Sequence, residues 1–372
     1  MKVLVVLGTS AGGVGQHVRG LATWLTRAGH HVVVCAPPEV LDRFGLAEVA
    51  AVVVPLDVTD RPHPARDARA VRALAALAAG ADVVHAHGLR VAALAVLATG
   101  RGGPPVVSTL HNAAPSGALL GVVYAGLERV VARGSALVLG VSADLVERMR
   151  ALGARRTALA VVPAPPRREA SRDRHVVRSE LGVAPSTALG VVVARLAPQK
   201  GLDLLLDAHR ELRDDPEVDL LTVVAGDGPL HDALEARVAD ERLPVRLLGR
   251  RDDVPDLLAA ADVVVSSAVW EGQPVALQEA LHAGAAIVAT DVGGTGAVVG
   301  DAALLVPAAE PVSLSRAVRD VVLHGSVRDD LRSKAVERAQ HLPTEDDALA
   351  AALDAYRSVV RTPGVGPEQG GS

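Results

Sequence analysis

Short runs of apolar, often β-branched residues alternate with Ala/Leu/Arg stretches of helical period, and the alternation starts afresh halfway along the chain. Few folds accept that pattern. A run such as Val3–Leu7 is apolar at every position, so it suits a strand covered on both faces rather than one with a wet side. Strands of this kind separated by helices are joined by crossovers, which makes the sheet parallel. In the first half the strands are expected at Val3–Leu7, His31–Ala36, Val52–Pro55, Asp82–His87, Val106–Leu110 and Leu137–Val141. Helices are expected at Gln16–Ala28, Ala65–Ala79, Val91–Ala98, Val123–Ala132 and Ala143–Leu152. After a Pro/Arg-rich stretch at 163–175 the pattern resumes, with strands at Ala188–Val193, Asp219–Ala225, Val245–Leu248, Val263–Ser266 and Ala286–Thr290. Helices at Gly201–Leu212, Leu230–Glu241, Val254–Ala260 and Pro274–Ala283 lie between or after them. The expected class is α/β: two tandem Rossmann-like β/α/β domains facing across a cleft. Such sheets bind ligands in the loops that leave the carboxyl ends of their strands.

Composition narrows the partners. Aromatic residues make up 1% of the 372, which leaves almost no stacking platform for nucleic acid. The single cysteine, Cys35, excludes an intrachain disulfide and reads as a buried strand residue. The apolar start is broken by Gly8–Gly15, and no later run reaches the roughly 18 apolar residues of a spanning helix, so a cytoplasmic location is expected. The net charge of −5 hides an asymmetry: residues 1–185 carry 21 Lys and Arg against 13 Asp and Glu, residues 186–372 carry 17 against 30. The basic half leaves open an acidic acceptor or peripheral contact with an anionic membrane. Arginine far outnumbers lysine, which occurs only at positions 2, 200 and 334.

Three strand-exit loops hold the residues with chemistry. The first, Gly8-Thr-Ser-Ala-Gly-Gly-Val-Gly15, lets backbone N–H groups approach an anion at a helix start. A dinucleotide site would want an acidic residue after the second strand; that strand ends in Cys35-Ala-Pro-Pro, and no Gly-Lys-Ser/Thr follows the loop to make a P-loop. In the second, Arg195 and Lys200 leave the first strand of the second half just ahead of a helix. They read as two surface charges or, better, as a diphosphate clamp. The third, Glu271-Gly-Gln-Pro-Val-Ala-Leu-Gln-Glu279, places two carboxylates around a helix start near Pro274, with N–H groups at 273–275 free for phosphate. Asp214-Asp215 and Asp252-Asp253 read as solvated turns, and His85 and His87 as loop residues rather than metal ligands, so no metal is expected.

Taken jointly, GTSAGGVG at the start, HAHG at 85–88, STLHN at 108–112, VSADL at 141–145, ARLAPQKG, AGDGP at 225–229, Glu-x7-Glu and DVGG at 291–294 resemble the retaining family 4 glycosyltransferases (glycosyltransferase group 1 type) of GT-B fold. The likeness runs from residue 1 to about 361. The chain is expected to divide into a first domain at 1–167, a linker at 168–185, a second domain at 186–343, a helix at 344–361 and a disordered tail at 362–372; the resemblance implies that the first is the acceptor side, the second binds the nucleotide-sugar, and the helix returns toward the first. It also implies transfer of a hexose from a nucleotide-sugar to an acceptor hydroxyl, without metal or cofactor. Arg195 and Lys200 would neutralise the diphosphate, backbone at Gly272, Gln273, Pro274 and Val275 would hold diphosphate and sugar, Glu271 the sugar hydroxyls and Glu279 the ribose. Backbone near Arg250 and Arg251 would face the base, Gly13 and Gly15 would close over the diphosphate, and His111 would reach the sugar. The sequence departs from the family at Gln273, where an apolar residue is usual, at Ala297 in place of a glutamate, and in the segment DAALLVP. A nucleotide-sugar 2-epimerase and a non-catalytic binding subunit are the competing readings.

Overall fold

A computed structural model describes residues 1–10, 12–58, 63–113 and 118–360; the expected tail at 362–372 lies outside the described residues. The chain divides into two compact units. Unit 1 is Met1–Pro163 with the described residues from Pro343 onward, and unit 2 is Ala164–Leu342.

Unit 1 is built on strands β1 (Lys2–Leu7), β2 (His31–Ala36), β3 (Val52–Pro55), β4 (Val83–His87), β5 (Val106–Leu110), β6 (Leu137–Gly140) and β7 (Thr157–Leu159). Their order is β3-β2-β1-β4-β5-β6-β7, and every pairing is parallel. Unit 2 has β8 (Ala188–Val193), β9 (Leu220–Ala225), β10 (Val245–Leu247), β11 (Val263–Ser266), β12 (Ile287–Thr290) and β13 (Ala303–Val306). These are ordered β10-β9-β8-β11-β12-β13, again all parallel. Strand order reverses between β1 and β4 in one sheet and between β8 and β11 in the other. At such switch points neighbouring loops diverge and leave a crevice.

The strands form as their apolar runs require. Leu189 and Val191 enter the core on one face of the second sheet with Val223 and Ile287, while Val192 enters the core on the other with Val224 and Val288. Cys35 is fully buried in β2, and burial pushes its thiol up to about 12, so it behaves as an apolar residue. The final helix, Glu345–Val359, opens with a capping box between Thr344 and Asp347 and belongs to unit 1. It buries Ala352, Ala355 and Tyr356 against Val3, Val5 and Leu25.

The stretch expected as a linker at 168–185 is instead part of unit 2 and contains a helix, Arg174–Glu180. Asp173 caps it by accepting from the His175 N–H. Arg172 bonds to Asp253, Asp256 and Glu180, Arg174 and Arg178 hold Asp262, and Val177 is buried. A polar, arginine-rich segment looks solvated in sequence because Asp253, Asp256 and Asp262, which pair with it, lie some 80 residues away. The strands β7 and β13 and the helices Pro311–Leu323 and Gly325–Ala339 complete the two sheets beyond the elements expected from sequence.

Candidate functional site

The β8/β11 switch point supplies the most built site. The loop after β8 carries Arg195 through Gly201, and the loop after β11 carries Ser267 through Pro274; hydrogen bonds to backbone carbonyls stitch the two together. Val269 N–H donates to the Gln199 carbonyl at 2.9 Å, the Gln199 side-chain amide to the Trp270 carbonyl at 3.0 Å, and the Ser267 hydroxyl to the Lys200 carbonyl at 3.1 Å. Gly201 sits at φ +57°, where a Cβ would stand 2.1 Å from the Ser267 carbonyl oxygen. Only glycine permits that approach. The result brings the Lys200 ammonium against the Glu271 carboxylate in a direct ion pair, with Glu271 buried.

Glu271 is also fixed from behind. Gly294 N–H donates to its carbonyl at 2.9 Å, and Gly293, at φ +54°, brings its Cα close enough that a Cβ would lie 2.0 Å from that oxygen. The DVGG motif thus serves as a backbone seat for Glu271. AGDGP does the same for the opposite loop: a Cβ at Gly226 would fall 1.9 Å from the Ala194 carbonyl oxygen.

Around this seam lies a cavity of about 380 Å³ lined by Arg195, Lys200, Gly226, Asp227, Arg250, Arg251, Val275, Ala276 and Glu279, among others. Six residues expected from sequence therefore line one cavity: Arg195, Lys200, Arg250, Arg251, Val275 and Glu279. Arg195 is exposed, and its side chain has no hydrogen-bond or ion-pair partner among the described residues. Arg251 is committed to Asp253 by two bonds of 2.6 and 2.7 Å, so its side chain orders the loop beside the cavity it lines. The helix Val275–His282 begins one residue later than expected, with Pro274 as its N-cap, and its Val275 and Ala276 N–H groups have no backbone partner among the described residues. Those N–H groups and the helix dipole favour an anion. Gly272 and Pro274 are buried and Gln273 half-buried in the preceding turn. Burial raises Glu279 above the usual carboxylate range, and the nearby Arg168 opposes that rise. Asp227 is the acidic wall residue that sequence reasoning did not single out, although the AGDGP motif contained it.

Unit 1 gathers a second constellation at its β1/β4 switch point. His85 and His87 of β4, His111 after β5 and His17 of the helix Gly13–Arg27 stack ring against ring. His87 and His111 are nearly parallel with centroids 5.4 Å apart, and His17 stands edge-on to both. His87 Nδ1 and His111 Nε2 are 3.1 Å apart. His85 is held between the Tyr356 hydroxyl and the Thr109 hydroxyl, each at 2.7 Å. Burial drives all four imidazoles toward the neutral form, His17 to about 4 and His85 to about 3, with mutual repulsion adding to the effect for His85, His87 and His111. His17 and Tyr356 were missed in the sequence; Tyr356 is one of only two tyrosines, a rarity of the kind that singled out Lys200. Gly13 opens the helix exposed, whereas Gly15 is buried under Phe44, with its N–H bonded to Gly12 and Ser10. Among the described residues no group of three His, Cys, Asp or Glu could hold a metal ion, and no helix is long and apolar enough to cross a membrane.

Residues 12–165 match the glycosyl transferase 4-like domain, and residues 188–324 match glycosyl transferases group 1. The chain belongs to the group 1 glycosyl transferases. Among curated group 1 relatives, the D-inositol 3-phosphate glycosyltransferase of Nocardia farcinica is 30% identical over 246 residues, 60% of this chain and 54% of that protein. The UDP-Gal:alpha-D-GlcNAc-diphosphoundecaprenol alpha-1,3-galactosyltransferase of Escherichia coli is 32% identical over 123 residues, 32% of each chain. The chain thus spans about a third to a half of these relatives' length. In structure it resembles Anabaena Alr3699/HepE, solved in complex with UDP-glucose, with a TM-score of 0.78 at 20% identity over 96% of this chain and 100% of that one. That likeness concerns the fold, which is the GT-B arrangement of group 1 enzymes.

Proposed function

We propose that the chain is a retaining glycosyltransferase that takes a hexose from a nucleotide-sugar and gives it to an acceptor hydroxyl. The observation that carries the reading is the β8/β11 cavity, in which an ion-paired lysine, Arg195 and Arg250 without acidic partners among the described residues, and a helix start converge beside the carboxylates of Asp227 and Glu279. Cleaving the bond between the anomeric carbon and the diphosphate leaves negative charge on the departing oxygen. Lys200, Arg195 and the N–H groups of Val275 and Ala276 are the groups that meet that charge as it develops. Lys200 is held in place by Glu271 before any ligand arrives, so little reorganisation is needed. Glu271 accepts from hydroxyls of the transferred sugar, Glu279 from the ribose, and backbone at 250–251 faces the base.

The acceptor oxygen forms the new bond on the face the diphosphate leaves, and its proton passes to the departing phosphate. No nucleophilic side chain is assigned, and His111 of unit 1 is assigned to sugar contact. Because cationic side chains meet the diphosphate, turnover is expected to persist in excess chelator; loss of turnover in chelator, restored by a divalent metal, would contradict this. The expected location is the cytoplasm, with the basic half in peripheral contact with anionic membrane. The functional test is a thermal-shift screen of nucleotide-sugars, followed by mass spectrometry of products with the best donor. A midpoint rise with one donor class and a hexosylated product are expected. A screen in which no nucleotide-sugar binds would overturn the reading, and an epimerised sugar nucleotide would identify the 2-epimerase instead.

A further inference from the structure

A second cavity, of about 550 Å³, lies in unit 1 between the edge strand β7, β6 and the final helix. Its volume falls in the range of small-molecule sites. Its lining includes the apolar Leu137, Leu139 and Ala355, and β7 adds Leu159, which is 58% exposed. Three arginines, Arg150, Arg155 and Arg156, also line it. None of the three has an acidic partner among the described residues. Arg150 donates to the Thr157 hydroxyl at 3.3 Å and Arg156 to the Ser358 carbonyl at 2.8 Å, both neutral acceptors, and Arg155 has no partner. The single acid in the lining, Asp354, is already paired with Arg357 at 3.2 Å. The contrast with unit 2 is sharp: there Arg172, Arg174, Arg178, Arg237 and Arg319 are each matched to one or more carboxylates.

Like charges gathered at a concave surface without counter-charge repel one another, and an anion relieves that repulsion. Guanidinium forks match phosphate oxygens bidentately, and the leucines of the lining suit an apolar body attached to them. The place is also distinct from the histidine cluster. Arg155 and Arg156 precede β7, at the amino ends of a parallel sheet, whereas His111 and the glycine loop leave at the carboxyl ends. We propose that this cavity binds a phosphate ester with an apolar body, linking β7 to the final helix. The proposal stands independently of the donor reading.

The same chemistry could come from a soluble ester or from a lipid headgroup, so titration calorimetry with phenyl phosphate is run beside sedimentation with phosphatidic-acid vesicles. Saturable binding of either probe is expected, weakened at least about tenfold in R155A/R156A. Phenyl phosphate binding assigns a soluble ester, and vesicle binding alone assigns the headgroup. The thermal response of the same variant to the nucleotide-sugar should be unchanged, because unit 2 is untouched. Should the double variant lose its fold, Arg155→Ala, which removes a side chain with no partner, is expected to weaken binding about threefold. Absence of binding by both probes, or binding indifferent to these substitutions, would overturn the proposal.

Discussion

Lys200 and His17 show how far single residues could be read in advance. Lys200 stood out because only three lysines occur in the chain, and its strand-exit position told which end of the sheet it would occupy. Its partner was not foreseeable: Glu271 lies 71 residues on, and only the stitched loops bring the two charges together. His17 gave no signal, since a histidine on a helix looks like any half-exposed residue until β4 and the loop after β5 bring three more rings beside it. That burial has a consequence for stability. The His17 pKa is lowered on folding, to about 4, so between about 6.5 and 4 the unfolded chain binds a proton that the folded chain refuses. Stability is therefore full above about 6.5 and falls as pH drops toward 4, by about 3 kcal/mol from this ring alone. Urea denaturation between pH 7.5 and 4.5 should show that fall, and His17→Gln should make it shallower, the other buried imidazoles of the cluster supplying the rest. A variant whose stability follows pH as steeply as the wild type would contradict the assignment.

At the scale of elements, the strands were legible because runs of Val and Leu suit nothing but a doubly covered sheet. Helix ends moved by a few residues, as at Gly13–Arg27 and Val275–His282, because the glycine-rich and proline-containing turns ahead of them leave the first turn open to either assignment. The segment around Arg174–Glu180 was misread as a connector, since its stability comes from distant Asp253, Asp256 and Asp262 rather than from local apolar spacing. The glycine motifs were recognised as a pattern, but their work was not visible in sequence. DVGG and AGDGP are close-approach glycines that hold loops together and need not touch a ligand. Gly293→Ala tests this directly, because the added Cβ meets the Glu271 carbonyl at 2.0 Å in a left-handed backbone. A loss of about 1–3 kcal/mol in stability is expected, together with weaker donor binding as Glu271 and its paired Lys200 shift. Calorimetric unfolding and donor titration check it, and an unchanged donor affinity would show that the seat does not matter.

Across the whole molecule, charge and function run in opposite directions. The half proposed to bind an anionic diphosphate is the acidic one, with 30 Asp and Glu against 17 Lys and Arg. A domain-wide field cannot draw the donor in, so the cavity between the β8 and β11 loops must do so with a few cations and a helix start. The final helix adds a second whole-chain feature. It belongs to unit 1 although it follows unit 2 in sequence, and its Tyr356 completes the histidine cluster through His85. Recognition of the diphosphate is thus proposed to rest on local cations at the second switch point. Titration calorimetry of the wild type and Lys200→Ala with the selected nucleoside diphosphate, and with the nucleoside alone, tests it most directly. At least a tenfold loss for the diphosphate, about 1.4 kcal/mol or more, and little change for the nucleoside are expected. Equal affinities for the diphosphate in the two proteins, both folded, would contradict it.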